Sequence, residues 1–519
     1  MVEPSSPAAP RSRRLLTLAL AVLVLASFGV SGLARARAGL TRTVATVDGL
    51  PVELITPAGG GTTPLPGVLV VHGFSGSRQL MYGVAQTLAR NGYAAAAIDL
   101  PGHGQNLDRM PALTGRTSGF DASLGRATAW LRAQPGVDPA RIALVGHSMG
   151  AGAVVRYAMG DAAIGATVAI STGLGPRGPV PADVPRNVLA MAGAWEFPNV
   201  LDACRLAVTA SYPLADARRL QGTWADGTAR QCVVVPGVEH IGVLFSRPAA
   251  IAVVHWLDAA LGVHPPGRPV ETAIPMIPAL WLHAAAAIVF LLLAETLFPR
   301  WRAVDAAASA PLPRLTLAIV MSGAAVMAAV VMRFAPGGWI PLLTADYLCG
   351  FFAVTGLVVA VALPLLGRPI ARPLPSLDVA WRTLVLVSFA IVMFAIVAQL
   401  SWLNMHLVGA RRWLAMAVFP LLLLYVLSLD SLLRGRPASE YFAWWAGFTL
   451  LAVAVLLSAV FTLRAPFFLL LLAPALLPIF LWLGLYGHWL RSRAPSAWPA
   501  ACVAAAMLAW LMAAVFPLV

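Results

Sequence analysis

The stretch at residues 141–152, RIALVGHSMGAG, decides how the first half of the chain is interpreted. An apolar run leads into Gly146, Ser148 and Gly150 in the pattern G-x-S-x-G, which is typical of a strand, a sharp turn and a helix with a nucleophilic serine at the turn. Such a turn is strained, so the residues two before and two after the serine must lack bulk, and both are glycine. We therefore predict that Ser148 lies between a strand and a helix amino terminus, whose dipole favours developing negative charge.

The surrounding sequence predicts strands and helices in alternation. A hairpin at 43–56 turns at Asp48-Gly49. The predicted buried strands are 65–71, 94–99, 142–145, 166–170, 188–192 and 232–235. The predicted helices are 79–91, 121–133, 150–159 and 248–261, with two short helical patterns around Leu201 and Ala217. This order indicates an α/β fold with a mostly parallel sheet, helices on both faces and functional groups at the carboxyl ends of the strands.

Side chains that could activate a serine follow Ser148 in the order acid, then histidine. A base must remove the hydroxyl proton, and a carboxylate must hold that base. His240 follows the last predicted strand, and Glu196 follows the strand before it. Asp202 is an alternative acid, and so is Glu239, although a side chain adjacent to the histidine usually points elsewhere. The predicted catalytic residues are Ser148, His240 and Glu196.

Two backbone N–H groups are needed to stabilise an oxyanion beside the serine. Met149, directly after the serine, is expected to supply one of them. The loop after the strand at 65–71 reads HGFSG, and we predict that Phe74 in this loop supplies the other. This chemistry requires no cofactor and no metal.

These motifs together resemble the α/β-hydrolase superfamily, and they are similar to its dienelactone-hydrolase and esterase/lipase-like branches. The shared sequences, in chain order, are HGFSG, DLPGHG, GHSMG, GAWE and VEHIG, within residues 43–262. The resemblance implies an α/β-hydrolase fold and a serine hydrolase with a Ser-Glu-His triad. Dienelactone hydrolases proper use a cysteine nucleophile, where this sequence has Ser148. The second half of the chain resembles no family that we can name.

The composition indicates a membrane protein. Of 519 residues, 59% are hydrophobic and only 11% are charged, whereas a soluble domain has about 25% charged residues. The net charge of +14 does not indicate a nucleic-acid partner, because the basic residues are all arginine and many lie in short loops between apolar runs. The absence of lysine is typical of a GC-rich bacterial genome.

Apolar runs long enough to cross a bilayer occur at both ends of the chain. The first, at 15–33, is either an uncleaved anchor or a signal peptide cut near 34–38, and its length favours the anchor. Eight further runs follow residue 274. We therefore predict three parts: a cytoplasmic N-terminus and anchor at 1–39, an α/β domain at 40–265, and an all-α membrane domain of about eight helices at 274–519.

Arginine distribution predicts the orientation, since cytoplasmic loops of membrane proteins are enriched in arginine. With the N-terminus inside, ten loop arginines face the cytoplasm and four face outward. The inner ten are Arg300, Arg302, Arg314, Arg368, Arg372, Arg382, Arg434, Arg436, Arg491 and Arg493. The outer four are Arg333, Arg411, Arg412 and Arg464, of which the pair Arg411-Arg412 is unexpected. The α/β domain is then outside a bacterial cytoplasmic membrane.

The four cysteines are too scattered for a disulfide scaffold or a metal site. Cys204 and Cys232 both lie in the predicted exported domain, where a disulfide can persist. The sequence leaves open whether they form a disulfide or remain two buried thiols.

Three functions are compatible with the sequence. The first is a membrane-anchored extracytoplasmic serine hydrolase that cleaves an ester or related acyl bond, with the lipid bilayer and a small acyl-ester or lipid-like substrate as its partners. The second is transfer of the same acyl group to a cell-envelope acceptor. The third is a transport or scaffold protein with a sensory hydrolase-like domain, although the scarcity of deep charged residues argues against a pump.

Overall fold

The computed structural model describes residues 11–59, 63–111, 119–172, 178–265, 267–298, 310–368, 375–491 and 496–519. Its contacts divide the chain into two compact units. The first unit contains Leu23–His283, Ile396–His406 and Pro517–Val519. The second contains Met1–Val22, Ala284–Ala395 and Leu407–Phe516.

A sheet with eight strands among the described residues forms the centre of the first unit. Its strands are β1 Leu40–Val47, β2 Leu50–Pro57, β3 Leu65–Val71, β4 Ala94–Ile98, β5 Val137–His147, β6 Ile164–Ile170, β7 Val188–Gly193 and β8 Arg230–Val235. They lie in the order β1-β2-β4-β3-β5-β6-β7-β8. The pairs β1/β2 and β2/β4 are antiparallel, and the other pairs are parallel.

Helices precede the sheet and alternate with its strands. They are α1 Arg11–Arg37, α2 Tyr82–Arg90, α3 Asp121–Arg132, α4 Met149–Gly160, α5 Pro198–Thr209 and α6 Arg247–Leu261. The predicted α/β class with a mostly parallel sheet is therefore confirmed. The apolar runs at β3 and β4 explain why these strands lie at the centre, since every residue from Ala94 to Ile98 is fully buried.

Two local expectations differ from the structure. The segment around Ala217 forms turns rather than a helix, because the Ala217 carbonyl accepts a hydrogen bond from the Cys232 N–H of β8. Strand β5 begins at Val137, five residues before the predicted start, and its added residues are mostly solvent-accessible. At that end of β5, Val137 pairs with Leu65 of β3. The sequence there has no apolar pattern that would predict this pairing.

In the described part of the chain, eight helices follow the sheet domain. They are α7 Met276–Leu297, α8 Arg314–Met332, α9 Ala345–Leu365, α10 Leu377–Ser401, α11 Arg411–Leu432, α12 Ala438–Thr462, α13 Leu469–Arg491 and α14 Trp498–Val515. Within the described residues, eight helices are long and apolar enough to cross a membrane, namely α1 and all of these except α13. The prediction of a multi-pass membrane protein is confirmed at this level.

Close packing of small and aromatic residues holds α9 and α11 together in the helical unit. A Cβ atom on Gly356 would lie 2.6 Å from the Tyr425 Cα atom, so glycine is what allows these two backbones to approach. One turn before it, the Phe352 ring packs against the Tyr425 ring with centroids 4.9 Å apart. Helix association within a bilayer depends on such van der Waals contact, because lipid is as apolar as the helix surfaces.

The structure accounts for Arg411, one of the two arginines that were unexpected in a predicted outer loop. Arg411 is fully buried, and its Nη1 donates to the backbone oxygens of Ala513 and Phe516 at distances of 2.6 and 2.9 Å. It therefore binds the carbonyls at the end of α14 instead of lying in a solvated loop. Four of the counted inner arginines fall outside the described residues: Arg300, Arg302, Arg372 and Arg493.

Cys204 on α5 and Cys232 on β8 form a disulfide with a Cα–Cα distance of 5.5 Å. The bond closes a loop between cysteines 28 positions apart, which contains the chain from the middle of α5 to β8. The two other cysteines, Cys349 and Cys502, are free. The structure therefore contains the disulfide and not two buried thiols at these positions.

Replacing Cys204 and Cys232 together with serine should lower the free energy of unfolding by about 3–4 kcal/mol, because the unfolded chain loses a closed loop. Alkylation in denaturant, which exposes the buried Cys349, followed by intact-mass measurement should label two cysteines before reduction and four after it. The Cys502→Ser variant is the matched control and should keep one protected pair. Four labelled cysteines without reductant would contradict the disulfide.

Candidate active site

The backbone at Ser148 forms a strained turn between β5 and α4. Ser148 has φ 53° and ψ −117°, in a region that side-chain-bearing residues rarely adopt. A Cβ atom on Gly150 would lie 2.3 Å from the His72 carbonyl oxygen, and one on Gly146 would lie 2.4 Å from the Gly150 oxygen. The turn can therefore form only with glycine at these two positions, as the G-x-S-x-G pattern predicts.

The structure brings the three predicted side chains into one hydrogen-bonded chain. Ser148 Oγ lies 2.9 Å from His240 Nε2, and His240 Nδ1 lies 2.9 Å from Glu196 Oε2. Since a carboxylate only accepts, Nδ1 carries the proton and Nε2 is the acceptor for the serine hydroxyl. The Glu196 side chain is fully buried and the His240 side chain is 11% exposed. This arrangement leaves Nε2 able to accept the Ser148 proton.

The two alternative acids have other partners. Glu239 accepts hydrogen bonds from the backbone N–H groups of Ile241 and Gly242, at 2.6 and 2.8 Å. Asp202 forms an ion pair with Arg205, one turn further along α5. Of the three carboxylates considered from the sequence, only Glu196 contacts the His240 imidazole.

The two predicted oxyanion donors lie on the elbow and on the loop that faces it. Met149 is the first residue of α4, a position whose N–H has no partner within the helix. A Cβ atom on Gly73 would lie 2.9 Å from the Ser148 Cβ atom, so the loop that carries Phe74 passes directly beside the nucleophile. The assignment of these two N–H groups as oxyanion donors remains a prediction.

Comparison with known proteins identifies the fold around these residues. A family model described as serine aminopeptidase, S33, matches residues 63–210, which contain the elbow and Glu196. The mixed sheet and its helices form an α/β-hydrolase domain.

Two curated relatives and a solved structure illustrate the likeness. A dihydrolipoyllysine-residue acetyltransferase component of the acetoin cleaving system of Cupriavidus necator is 35% identical over 116 residues, 22% of this chain and 27% of the relative. An uncharacterised protein of Mycobacterium tuberculosis is 36% identical over 94 residues, 18% of this chain and 32% of the relative. The chain thus spans about a third or less of these relatives. A dienelactone hydrolase structure from Anabaena variabilis is 19% identical, with a TM-score of 0.29, and covers 42% of this chain and 94% of its own.

His147, which precedes the nucleophile, holds the loop of the hydrolase domain that carries His240. Its Nε2 donates a hydrogen bond to the His240 carbonyl oxygen at 2.8 Å, and the two rings lie 5.1 Å apart. Burial, together with the nearby His240, lowers the pKa of His147 to about 3. The ring is therefore neutral at physiological pH and acts as a donor. The sequence showed a histidine beside the serine but gave no signal for this contact.

A second buried histidine and an ion pair connect the loops after β3 and β4. His72 donates from Nδ1 to the Gly73 oxygen and accepts at Nε2 from the Leu100 N–H, at 2.7 and 3.0 Å. Burial lowers the pKa of His72, so it too is neutral. Arg78 and Asp99, both almost fully buried, form an ion pair between the same two loops. These contacts fix the loop that faces Ser148.

Two segments from late in the chain also contact the loops of the hydrolase domain. The Asn404 N–H donates to Ser77 Oγ at 3.2 Å. Leu518 donates from its N–H to the Gly102 oxygen and accepts from the Met110 N–H, at 2.9 and 2.7 Å. No periodicity or motif in the sequence predicts these contacts, because they join residues more than 300 positions apart.

Within the described residues, no group of three or more histidine, cysteine, aspartate or glutamate side chains is arranged to hold a metal ion. The hydrogen-bonded chain of Ser148, His240 and Glu196 is complete without one. The absence of a cofactor and of a metal remains a prediction from the chemistry.

The Gly150→Ala variant should react at least about 100-fold more slowly with a fluorophosphonate probe, since displacing a nucleophile by 1 Å has roughly that effect. The added methyl group would clash with the His72 and Val71 carbonyl oxygens, 2.3 and 2.7 Å away. Gly160→Ala, at the end of the same helix, is the control, because nothing lies within 4 Å of the added atom. Equal rates of probe labelling in both variants would contradict the required close approach.

Stability should decrease as the pH falls from about 6.5 towards 3. In this range the unfolded His147, with a pKa near 6.5, binds a proton that the folded residue, with a pKa of about 3, excludes. Each pH unit in the range removes about 1.4 kcal/mol for such a group. His147→Gln should therefore show a shallower fall in thermal midpoint between about pH 7 and pH 4 than the wild type. His264→Gln is the control, and a wild-type slope in His147→Gln would contradict the assignment.

Proposed function

We propose that this protein is a membrane-anchored serine hydrolase that cleaves an ester or related acyl bond through an acyl-enzyme on Ser148. The observation that carries the proposal is the hydrogen-bonded chain from Ser148 through His240 to the buried Glu196. A serine hydroxyl is a weak nucleophile until a positioned base removes its proton, and this geometry supplies that base.

In the proposed reaction, His240 Nε2 takes the Ser148 proton while Oγ attacks the carbonyl carbon. The N–H groups of Met149 and Phe74 stabilise the resulting oxyanion. The protonated His240 then gives its proton to the leaving alcohol as the C–O bond breaks, which leaves an acyl-serine. Water attacks the acyl carbon while His240 accepts a water proton. The bond between the acyl carbon and Oγ then breaks as His240 returns the proton to Oγ, which releases the acid and free Ser148. Glu196 stabilises the imidazolium and keeps its Nδ1 proton in place.

Apolar side chains beside the site favour an apolar acyl group. Trp195 and Phe197, which flank Glu196, are 71% and 39% exposed, and Ile241, which follows His240, is 37% exposed. Exposed apolar groups gain from contact with an apolar ligand, because water is released from both surfaces. An amphipathic or lipid-like ester fits this chemistry better than a small polar one.

We further propose that the hydrolase domain lies outside the cytoplasm of a bacterium, with α1 as an uncleaved anchor. The arginine bias of the loops supports this orientation. The disulfide between Cys204 and Cys232 also supports it, since disulfides persist in oxidising compartments. The packing of Gly29 and Gly32 of α1 against Pro278 and Leu282 supports retention of the helix.

Ser148→Ala should abolish reaction with a fluorophosphonate probe and hydrolysis of p-nitrophenyl acyl esters in purified full-length protein. Glu196→Gln should reduce kcat by about 10³-fold or more, because an amide donor at this position favours the wrong His240 tautomer. Glu239→Gln, which changes an acid next to His240 with other partners, should reduce kcat by less than about tenfold.

Activity that is unchanged in Ser148→Ala would overturn the mechanism. A larger loss of kcat in Glu239→Gln than in Glu196→Gln would show that Glu196 is not the acid that supports His240. Release of free acid identifies hydrolysis, whereas an acylated alcohol or amine added as acceptor would identify acyl transfer by the same acyl-enzyme.

A further inference from the structure

A groove of about 400 Å³ lies where α1 ends and α7 begins, within the first unit. It is formed by one face of α1, the start of α7, the chain that precedes α7 and the end of α2. Its lining includes Phe28, Arg35, Arg90, Ile277 and Trp281. None of these residues belongs to the site around Ser148, so the groove is a separate feature.

Close contact between α1 and α7 forms the floor of the groove. A Cβ atom on Gly29 would lie 2.4 Å from Leu282 Cγ, and one on Gly32 would lie 2.6 Å from Pro278 Cβ. The two helices therefore touch at these glycines, as helices in membranes do at small residues. Larger side chains on either side of the contact, Phe28 and Trp281, form the walls.

One end of the groove carries guanidinium groups. Arg35 donates to Ser31 of its own helix, through Nε to the carbonyl oxygen and Nη2 to Oγ, both at 3.2 Å. Within the described residues, no carboxylate forms an ion pair with Arg35. Arg90 contacts the Glu271 carboxylate at 3.1 Å, and its Nη2 also donates to the carbonyl oxygens of Arg35 and Ala38. Two positive groups and one negative group leave this end with a net positive charge.

The other end of the groove is apolar and open. Phe28 is 60% exposed, Ile277 is 51% exposed and Trp281 is 48% exposed. These side chains lie on α1 and α7, both of which are long and apolar enough to cross a membrane. Tryptophan near the end of such a helix is typical of the level of the lipid headgroups.

We propose that this groove binds an anionic glycerophospholipid, with the phosphate between Arg35 and Arg90 and the acyl chains along Phe28, Ile277 and Trp281. A phosphate presents several oxygens to guanidinium donors, and the paired charges strengthen each hydrogen bond. The groove is at the small end of the range for ligand pockets, roughly 300–1,000 Å³. It therefore has room for the headgroup and the first part of the acyl chains, and the rest of the chains extends into the bilayer.

Charge complementarity selects an anionic lipid over a zwitterionic one. Arg35 lies at the end of α1 that leads into the sheet, opposite the end with Arg13 and Arg14. A net positive groove attracts a headgroup with net negative charge, whereas the quaternary ammonium of phosphatidylcholine would lie close to two guanidinium groups.

Native mass spectrometry of the full-length protein in detergent, titrated with phosphatidylglycerol or phosphatidylcholine of identical acyl chains, tests the proposal. The wild type should bind phosphatidylglycerol at least about tenfold more tightly than phosphatidylcholine. Arg35→Gln should weaken phosphatidylglycerol binding by about tenfold or more. Arg13→Gln is the matched control, since it removes one arginine from the other end of the same helix and should bind as the wild type does.

A second variant tests the shape of the groove without a change in charge. Ala36 lines the groove, so Ala36→Phe should fill it and weaken phosphatidylglycerol binding, whereas Ala34→Phe, which lies outside the lining, should not. Fluorophosphonate labelling of Ser148 checks the fold of each variant. Equal binding of the two lipids, or wild-type binding by Arg35→Gln and Ala36→Phe, would overturn the proposal. Displacement of the lipid by millimolar inorganic phosphate would contradict the proposal that the acyl chains contribute to binding.

Discussion

The contact between the Gly150 backbone and the His72 carbonyl oxygen is the constraint on which the site depends. At this point α4 passes so close to the end of β3 that a single Cβ atom would lie 2.3 Å from the oxygen. The contact turns the chain sharply at Ser148, which accepts a positive φ as a result. It also brings the loop after β3 beside the nucleophile. The position of Ser148 and that of the predicted oxyanion donors are thus set by one close approach of two backbones.

From this position the other groups follow by the topology of the sheet. The strands β5, β7 and β8 are parallel members of one sheet, so residues after their carboxyl ends meet at one edge. Ser148, Glu196 and His240 come after these three strands. This relation explains why the catalytic candidates could be chosen from the sequence. Each was located as a residue a short distance after the end of a predicted strand, and the glycines around Ser148 indicated the turn.

The contacts that hold these groups in place could not be predicted in the same way. His147 donates to the His240 carbonyl oxygen, and Arg78 pairs with Asp99 across two loops. Each depends on side-chain direction within a turn, which strand and helix patterns do not specify. Arg411 is a similar case, because a charged residue between apolar runs usually indicates a solvated loop, whereas this one is buried against carbonyl groups. Predicting the disulfide would have required the distance between Cys204 and Cys232, which only the folded chain provides.

The bonds from Asn404 and Leu518 to the loops of the hydrolase domain have a consequence for how its boundary is drawn. A fragment that ended after α6 would keep every strand and every catalytic candidate. It would nevertheless leave the Gly102 oxygen, the Met110 N–H and the Ser77 hydroxyl without the partners they have in the whole chain. The folded domain is therefore not a continuous piece of sequence. Some of its loop hydrogen bonds are made by chain segments that begin more than a hundred residues after its last helix. The intact polypeptide is therefore the smallest unit that preserves these contacts.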